Sequence, residues 1–458
     1  MGSRSQVALS SWLLVGCAGD PVRDERFDSA LPIVVLDSRE ADLDREDLGR
    51  GQWVDLAMSV WEPAEGATVR WDAEPTRVLH AAGRVRGNSS REYPKKQYRL
   101  ETRGADGADL DVGWFGLPAE EDWIFHAPFS DKSLMRNHLM YTWSRGIGRY
   151  APRSVFVEVY VEDDGGFLST ENYRGVYLLL EKIKRDDGRV DIAKLQPDDV
   201  REPEVTGGYI LRRDWVEGED DDPVSGVLVT PTYEDALIVE EPDADEIAPE
   251  QRAYIEGYLA SMEAALSGPD FADPELGYAT WIDVDSFVDH HLLVELSRNV
   301  DGFVLSTFMT KDRGGKLAMG PIWDFNGALG NADYFGAWDP EGWHHENPDF
   351  PEDNPNGYRW YARLFEDPAF AARYRERWAE LRSGPLSDEA VVASIDATAA
   401  LLGEPAARNF ERWQILGDYV WPNDEGAENR HSYREEVEYL ESWIGRRLAW
   451  MDAAILEP

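Results

Sequence analysis

The chain has 458 residues, 89 of them acidic and 46 basic, for a formal net charge of −43. That excess repels nucleic-acid phosphates and excludes nucleic acid as the main partner. Apolar residues make up 43% of the chain, enough for a packed core, and 18 tryptophans require burial or stacking surfaces.

Arg4 precedes a short apolar stretch from Val7 to Gly16 that ends in Leu14-Val15-Gly16-Cys17. This reads as a basic region, a brief apolar region and a cleavage site, too short to cross a bilayer as a stable helix. The tetrapeptide resembles a bacterial lipobox, and the single cysteine of the chain, Cys17, falls where lipidation requires it. The expectation is an exported protein held at the bacterial envelope or surface by a lipid on Cys17. It would have no disulfide. No later segment is expected to reach transmembrane length.

Residues 18–30 read as a polar tether, and the apolar run Leu31–Leu36 begins a β-rich segment over 31–80, with strand patterns near 53–61 and 68–71. A turn-rich loop over 83–90 leads into 95–100, which alternates like a half-buried strand. The pattern then predicts a helix over 131–145, stopped by Gly146 and Gly148, and strands over 155–161 and 175–180. The stretch 197–249 is acidic and mixed, and its runs 217–222 and 241–246 lack the spaced ligands and central glycine of a calcium loop. Helical periodicity dominates afterwards, over 250–266, 285–298, 388–402 and 432–453, with Ser387 and Gly403 as caps of the third of these. A β-rich first half and a mainly helical second half predict an α+β protein of two lobes. There is no internal repeat.

Segment 285–330 carries the chemistry. Asp285 is expected to cap a helix that ends near Asn299, leaving Asp301 in a loop. Strand-like 304–310, the turn Asp312-Arg313-Gly314-Gly315 and strand-like 316–322 form a hairpin that ends at Trp323-Asp324-Phe325-Asn326. Both arms rise ~3.3 Å per residue, so the hairpin brings its two ends together and sets Asp301 and Asp324 at one mouth. Phosphoryl transfer needs two such carboxylates, one to take the proton of the attacking hydroxyl and one to hold a divalent metal. Backbone N–H groups of the loop at Arg86, Asn88 and Ser89 are placed to cover phosphates, with Lys96 to neutralise them. Glu181 to Ile183, at the end of an apolar strand, is the expected hinge facing adenine.

Arg86-Gly87-Asn88-Ser89-Ser90 followed by Lys95-Lys96-x-Tyr98, the Asp131–Asn137 segment, Gly175-Val176-Tyr177 with Glu181, Asn299-x-Asp301 and Trp323-Asp324-Phe325 occur in one order across 31–453. Together they resemble the CotH family, atypical protein-kinase-like proteins named for a spore-coat protein. The resemblance implies a surface or secreted kinase-like fold that uses ATP and Mg2+ or Mn2+ to phosphorylate Ser or Thr of a protein substrate. It implies Asp301 as the base and Asp324 as a metal ligand. Two positions depart from the pattern. Asn326 stands where the metal motif closes with a second aspartate, and Ser306 stands where kinase-like loops carry a metal-binding asparagine. Both offer neutral, weaker oxygens. A non-catalytic surface protein on the same scaffold therefore stays open beside the active kinase, and a calcium-dependent adhesin rests on the carboxylate count alone. The expected layout is a signal over 1–17, the tether, the β-rich segment, a kinase-like core over 81–384 and a helical segment over 385–458.

The pairs His290-His291 and His344-His345 are adjacent, so their side chains diverge, and neither forms a His-Glu-x-x-His zinc motif. There is no Gly-x-Ser-x-Gly nucleophile elbow and no Walker loop.

Overall fold

The computed structural model describes residues 28–39, 41–44, 52–166, 168–216, 225–346 and 356–457. Cys17, the signal segment, most of the tether and the acidic run 217–222 lie outside the described residues. The chain is α+β. Seven strands, β1 (Ile33–Asp37), β2 (Val54–Trp61), β3 (Arg77–Arg86), β4 (Gln97–Arg103), β5 (Asp122–His126), β6 (Ser154–Glu162) and β7 (Tyr173–Glu181), close into a barrel in the order β1-β2-β3-β4-β5-β7-β6. All neighbours are antiparallel except β1 and β6, which pair in parallel with Val34 opposite Val159. The alternation of β-strands sorts the side chains. Tyr177 and Leu179 of β7 fill the barrel with Tyr98, Trp123 and Val159, while Val176, Leu178 and Leu180 face outward into the helical core. Burial on both faces explains the unbroken apolar run that precedes Glu181.

A second sheet, in the order β12-β11-β8-β10-β9, combines β8 (Tyr209–Arg213), β9 (Val227–Val229) and β10 (Ala236–Glu241) with the hairpin β11 (Thr307–Lys311) and β12 (Leu317–Met319). The hairpin is shorter than its apolar pattern predicts, because turns anchored on the Asp301 carbonyl occupy 302–305. The helices are α1 (Arg136–Gly146), α2 (Pro249–Ser267), α3 (Val284–Ser297), α4 (Asn356–Leu364), α5 (Pro368–Arg382), α6 (Asp388–Arg412) and α7 (Tyr433–Leu456). One large core runs from Leu31 to Ile455 and joins residues of all seven helices to the outer face of the barrel.

Several boundaries differ from the sequence reading, each for a local reason. Segment 131–135 is a turn and not helix, because the Asp131 carboxylate accepts from the Ser133 and Arg136 amides and pairs with the Arg136 guanidinium at 2.5 Å. The cap of α3 is Asp283, whose side chain accepts from the Ser286 amide, while Asp285 pairs with Arg373. Helix α6 continues past Gly403 and Pro405 to Arg412, since Ala406, Asn409 and Phe410 are buried and reward the extra turns. It is long and apolar enough to span a membrane by length and composition, yet its Val391, Ile395, Leu402 and Phe410 pack into the core. The sequence pattern predicts neither strand β5 nor helices α4 and α5.

Helix α6 is bound to the barrel by polar groups sealed from water. Lys95 Nζ donates to the Val176 carbonyl at 2.6 Å and to Asn409 Oδ1 at 2.8 Å, and the Val176 amide donates to the same Oδ1 at 3.1 Å. Burial pushes the Lys95 pKa well below the ordinary lysine range, against the pull of Asp131. Gly175, at φ +99°, leaves the space, since a Cβ there would collide with Asn409 Oδ1. Asn409→Ala leaves the Val176 amide without its acceptor and takes one acceptor from the buried Lys95 ammonium, and its expected cost is about 2–3 kcal/mol of folding free energy. Urea unfolding measures it, and a loss under about 0.5 kcal/mol would contradict this account of the joint.

Candidate active site

Two loops, one at each end of the β11–β12 hairpin, form the floor of a cleft of about 980 Å³. The first follows α3, which ends at Arg298 in the left-handed region, φ 47°. The second begins where β12 gives way to Gly320-Pro321 and reaches Asp324, itself left-handed at φ 63°. A non-glycine residue adopts that conformation only when its surroundings hold it there, and such strain gathers at functional sites. The restraints are visible. Asn299 Oδ1 accepts from the Asp301 amide at 3.3 Å, and Asn299 Nδ2 donates to the Asp324 carbonyl at 3.0 Å. One side chain therefore ties the two loops together. Phe325 is buried in the core, and its amide donates to Asn137 Oδ1 at 2.6 Å. The Asp324 amide donates to the Tyr141 hydroxyl at 3.2 Å, and the Tyr141 ring stacks on Trp323.

A relay of hydrogen bonds carries this floor back to the barrel. Asn137 Nδ2 meets His126 Nε2 at 3.2 Å, and His126 Nδ1 meets Gln97 Oε1 at 3.1 Å, where Arg86 Nη1 also donates. Burial and the Arg86 charge push His126 down to about 3. The ring is thus neutral at ordinary pH, and one tautomer satisfies the whole chain: Nδ1–H donating to Gln97 and Nε2 accepting from Asn137. Arg86 also lies over the Trp323 ring, 5.8 Å from its centroid.

The cleft brings together Arg86, Asn88, Ser89, Asp301, Ser306, Asp324 and Asn326. The loop at 86–90 is closed tightly, with Gly87 at φ +108°, where a Cβ would collide with the Ser90 hydroxyl. Asp301 and Asp324 are half-buried, and among the described residues neither carboxylate has a hydrogen-bond or ion-pair partner. Burial, then the Asp324 and Asp214 charges, push Asp301 up to about 7. Burial and Asp214 push Asp324 up to about 6, with Arg86 opposing.

Two expected residues lie elsewhere. Lys96 does not line the cleft, and its Nζ donates to the Arg91 carbonyl at 2.5 Å. Gln97 takes the cleft-facing position at the start of β4, so the preceding side chain points away. Glu181 is fully buried, and its carboxylate is taken by the Arg153 amide, the Arg153 guanidinium and the Tyr150 hydroxyl. Its neighbours Lys182 and Ile183 do face the cleft.

Sequence reasoning misses other cleft residues. Arg84, Arg91, Arg99 and Arg212 add positive charge to the wall, and Asp214 adds a third carboxylate held by Arg212 at 2.5 Å. Arg212 and Asp214 sit at the end of β8, inside the stretch that reads as acidic surface, so composition hides them. His126 lies in β5, whose five buried residues show no strand alternation.

This arrangement fits what the family resemblance implies. Two unpartnered carboxylates suit a divalent cation, and a basic wall in a protein of charge −43 suits a polyphosphate. Compared with curated proteins, the chain matches none. The CotH kinase protein family matches residues 84–451, which include every cleft residue named above and both loops of the floor. The protein therefore belongs to the CotH kinase family.

Proposed function

We propose that the protein transfers the γ-phosphoryl group of ATP to a Ser or Thr hydroxyl of a protein substrate. The observation that carries this reading is the pair Asp301 and Asp324, unpartnered, half-buried and crowded at one mouth beneath a basic wall. Asp301 takes the acceptor proton as the hydroxyl oxygen bonds to the γ-phosphorus and the β–γ bridging bond breaks. Asp324 holds Mg2+ or Mn2+, with Asn326 and Ser306 as neutral oxygen donors. The ion, when bound, neutralises charge on the phosphates. Arg86 and the amides of Asn88 and Ser89 bind phosphate oxygens. The barrel and the helical core take the parts of the two kinase-like lobes. The Leu14-Val15-Gly16-Cys17 sequence supports export and a lipid anchor at Cys17.

A second reading, a nucleotide-binding surface protein without transfer activity, draws on the neutral side chains at 306 and 326. Incubation with γ-labelled ATP, Mg2+ or Mn2+ and candidate proteins separates the two. The expected result is covalent label on Ser or Thr, reduced at least about a hundredfold in Asp301→Asn. Undiminished labelling by that variant would remove Asp301 from its role. A metal-dependent rise in melting temperature with ATP but no label would favour the second reading.

The crowded pair also affects stability. An unfolded aspartate titrates near pH ~3.9, whereas Asp301 and Asp324 are pushed up to about 7 and about 6. Between these limits the folded state holds protons that the unfolded chain has released, so the stability contribution of the pair falls as pH rises. Metal-free Asp324→Asn should exceed the wild type in stability at pH ~8 by on the order of 1 kcal/mol, and the gain should shrink toward pH ~4. Thermal melts at the two pH values check this, and a pH-independent difference would argue against charge crowding.

A further inference from the structure

The two histidine pairs look unpromising as neighbours in sequence, but the fold takes one member of each and sets them together. His291 and Glu295 lie one turn apart on α3 and share a face. The segment at 343–346 brings His345 to them, and one donor atom from each of the three lies within 4.8 Å of the others. The His291 ring is buried. Its Nδ1 meets the Tyr374 hydroxyl at 3.0 Å, which leaves Nε2 buried with no partner. Glu295 is also fully buried. Its Oε2 accepts from the His344 amide at 2.8 Å and from Arg447 Nη2 at 3.1 Å, while Oε1 lies 2.6 Å from His345 Nδ1 and 3.2 Å from the His345 amide. His291 and Glu295 are thus oriented by groups outside the trio, Tyr374 and Arg447, as metal-ligating residues commonly are, and the His345 ring stacks on Tyr358.

We infer that His291, Glu295 and His345 form a three-donor site for a divalent first-row transition ion, zinc first among them, with water in the fourth position. Two imidazoles and one carboxylate suit zinc, whereas magnesium prefers oxygen donors and several retained waters. The hydrogen bond between His345 and Glu295 stands where the ion binds. On binding, the Nδ1 proton moves to Nε2, which faces the Glu346 carboxylate at 3.9 Å, and Glu295 keeps Arg447 on its other oxygen. None of the three residues lines the cleft that holds Asp301 and Asp324. The ion fastens 343–346 to the helix that leads directly into the Asp301 loop, so it braces that loop without entering it. This inference does not depend on phosphoryl transfer.

The test uses the chain purified without chelators. Elemental analysis should find about one zinc per chain, a ratio set by the one such cluster among the described residues that includes histidine. After stripping with a chelator, added ZnCl2 should raise the melting temperature, and CoCl2 should produce visible d–d absorption. His345→Ala should lose the zinc, the thermal shift and the cobalt spectrum, and Asp324→Asn should keep all three. His345 is only half-buried, so this variant decides the matter even if His291→Asn fails to fold. Zinc retained by His345→Ala would mean binding elsewhere on the acidic surface and would overturn the assignment. So would a stripped wild type whose melting temperature and cobalt spectrum do not respond to added metal.

Discussion

The floor of the cleft depends on one amide side chain. Asn299 holds the Asp301 amide with its oxygen and the Asp324 carbonyl with its nitrogen, so two loops joined through a whole hairpin behave as one piece. A carboxyl in its place would lack the donor, and a shorter hydroxyl would not span both contacts. The clamp matters because what it holds is unfavourable. Asp324 sits in a left-handed conformation, and the two carboxylates repel each other in a half-buried setting. Strain and charge crowding persist only where surrounding bonds over-determine the geometry.

That over-determination extends through the protein. Asn137 in α1 receives the Phe325 amide and passes the connection through neutral His126 to Gln97 and Arg86 on the barrel. The loop assigned to phosphates and the loop assigned to the cation are thereby linked by side chains with little freedom. Near His126 on the same outer face, Lys95 and Asn409 bind α6 to β7 in a similar way. Of the two adjacent lysines, Lys95 is spent on this joint and Lys96 on the Arg91 carbonyl, which leaves the cleft's positive charge to five arginines and Lys182. Guanidinium forks suit phosphate oxygens better than an ammonium does, so the exchange is chemically reasonable.

Charge is distributed against the average. A chain at −43 would repel a nucleotide, yet Arg84, Arg86, Arg91, Arg99, Lys182 and Arg212 all line the cleft. The acidic excess favours solubility and a salt-bearing medium, while the local basic lining has the charge that suits a polyphosphate. Asp214 and Glu240, both holding Arg212, keep that lining from being uniformly positive.

Short-range features of this protein were legible in the sequence. Alternation over 155–161, the apolar run over 175–180, the cap at Ser387 and the hairpin turn at 312–315 each follow from the residues nearby. The meeting of Asp301 and Asp324 was legible for the same reason, since a hairpin returns to its origin whatever it packs against. Tertiary structure alone decided the rest. The parallel pairing of β1 with β6, the docking of β8 on β11, the turn of Lys96 away from the cleft and the entry of Arg212 and Asp214 all need partners far away in sequence. The meeting of His291 with His345 belongs to the same group. Local propensity is written in neighbouring residues, whereas burial and long-range pairing are settled only when the whole chain competes for one core.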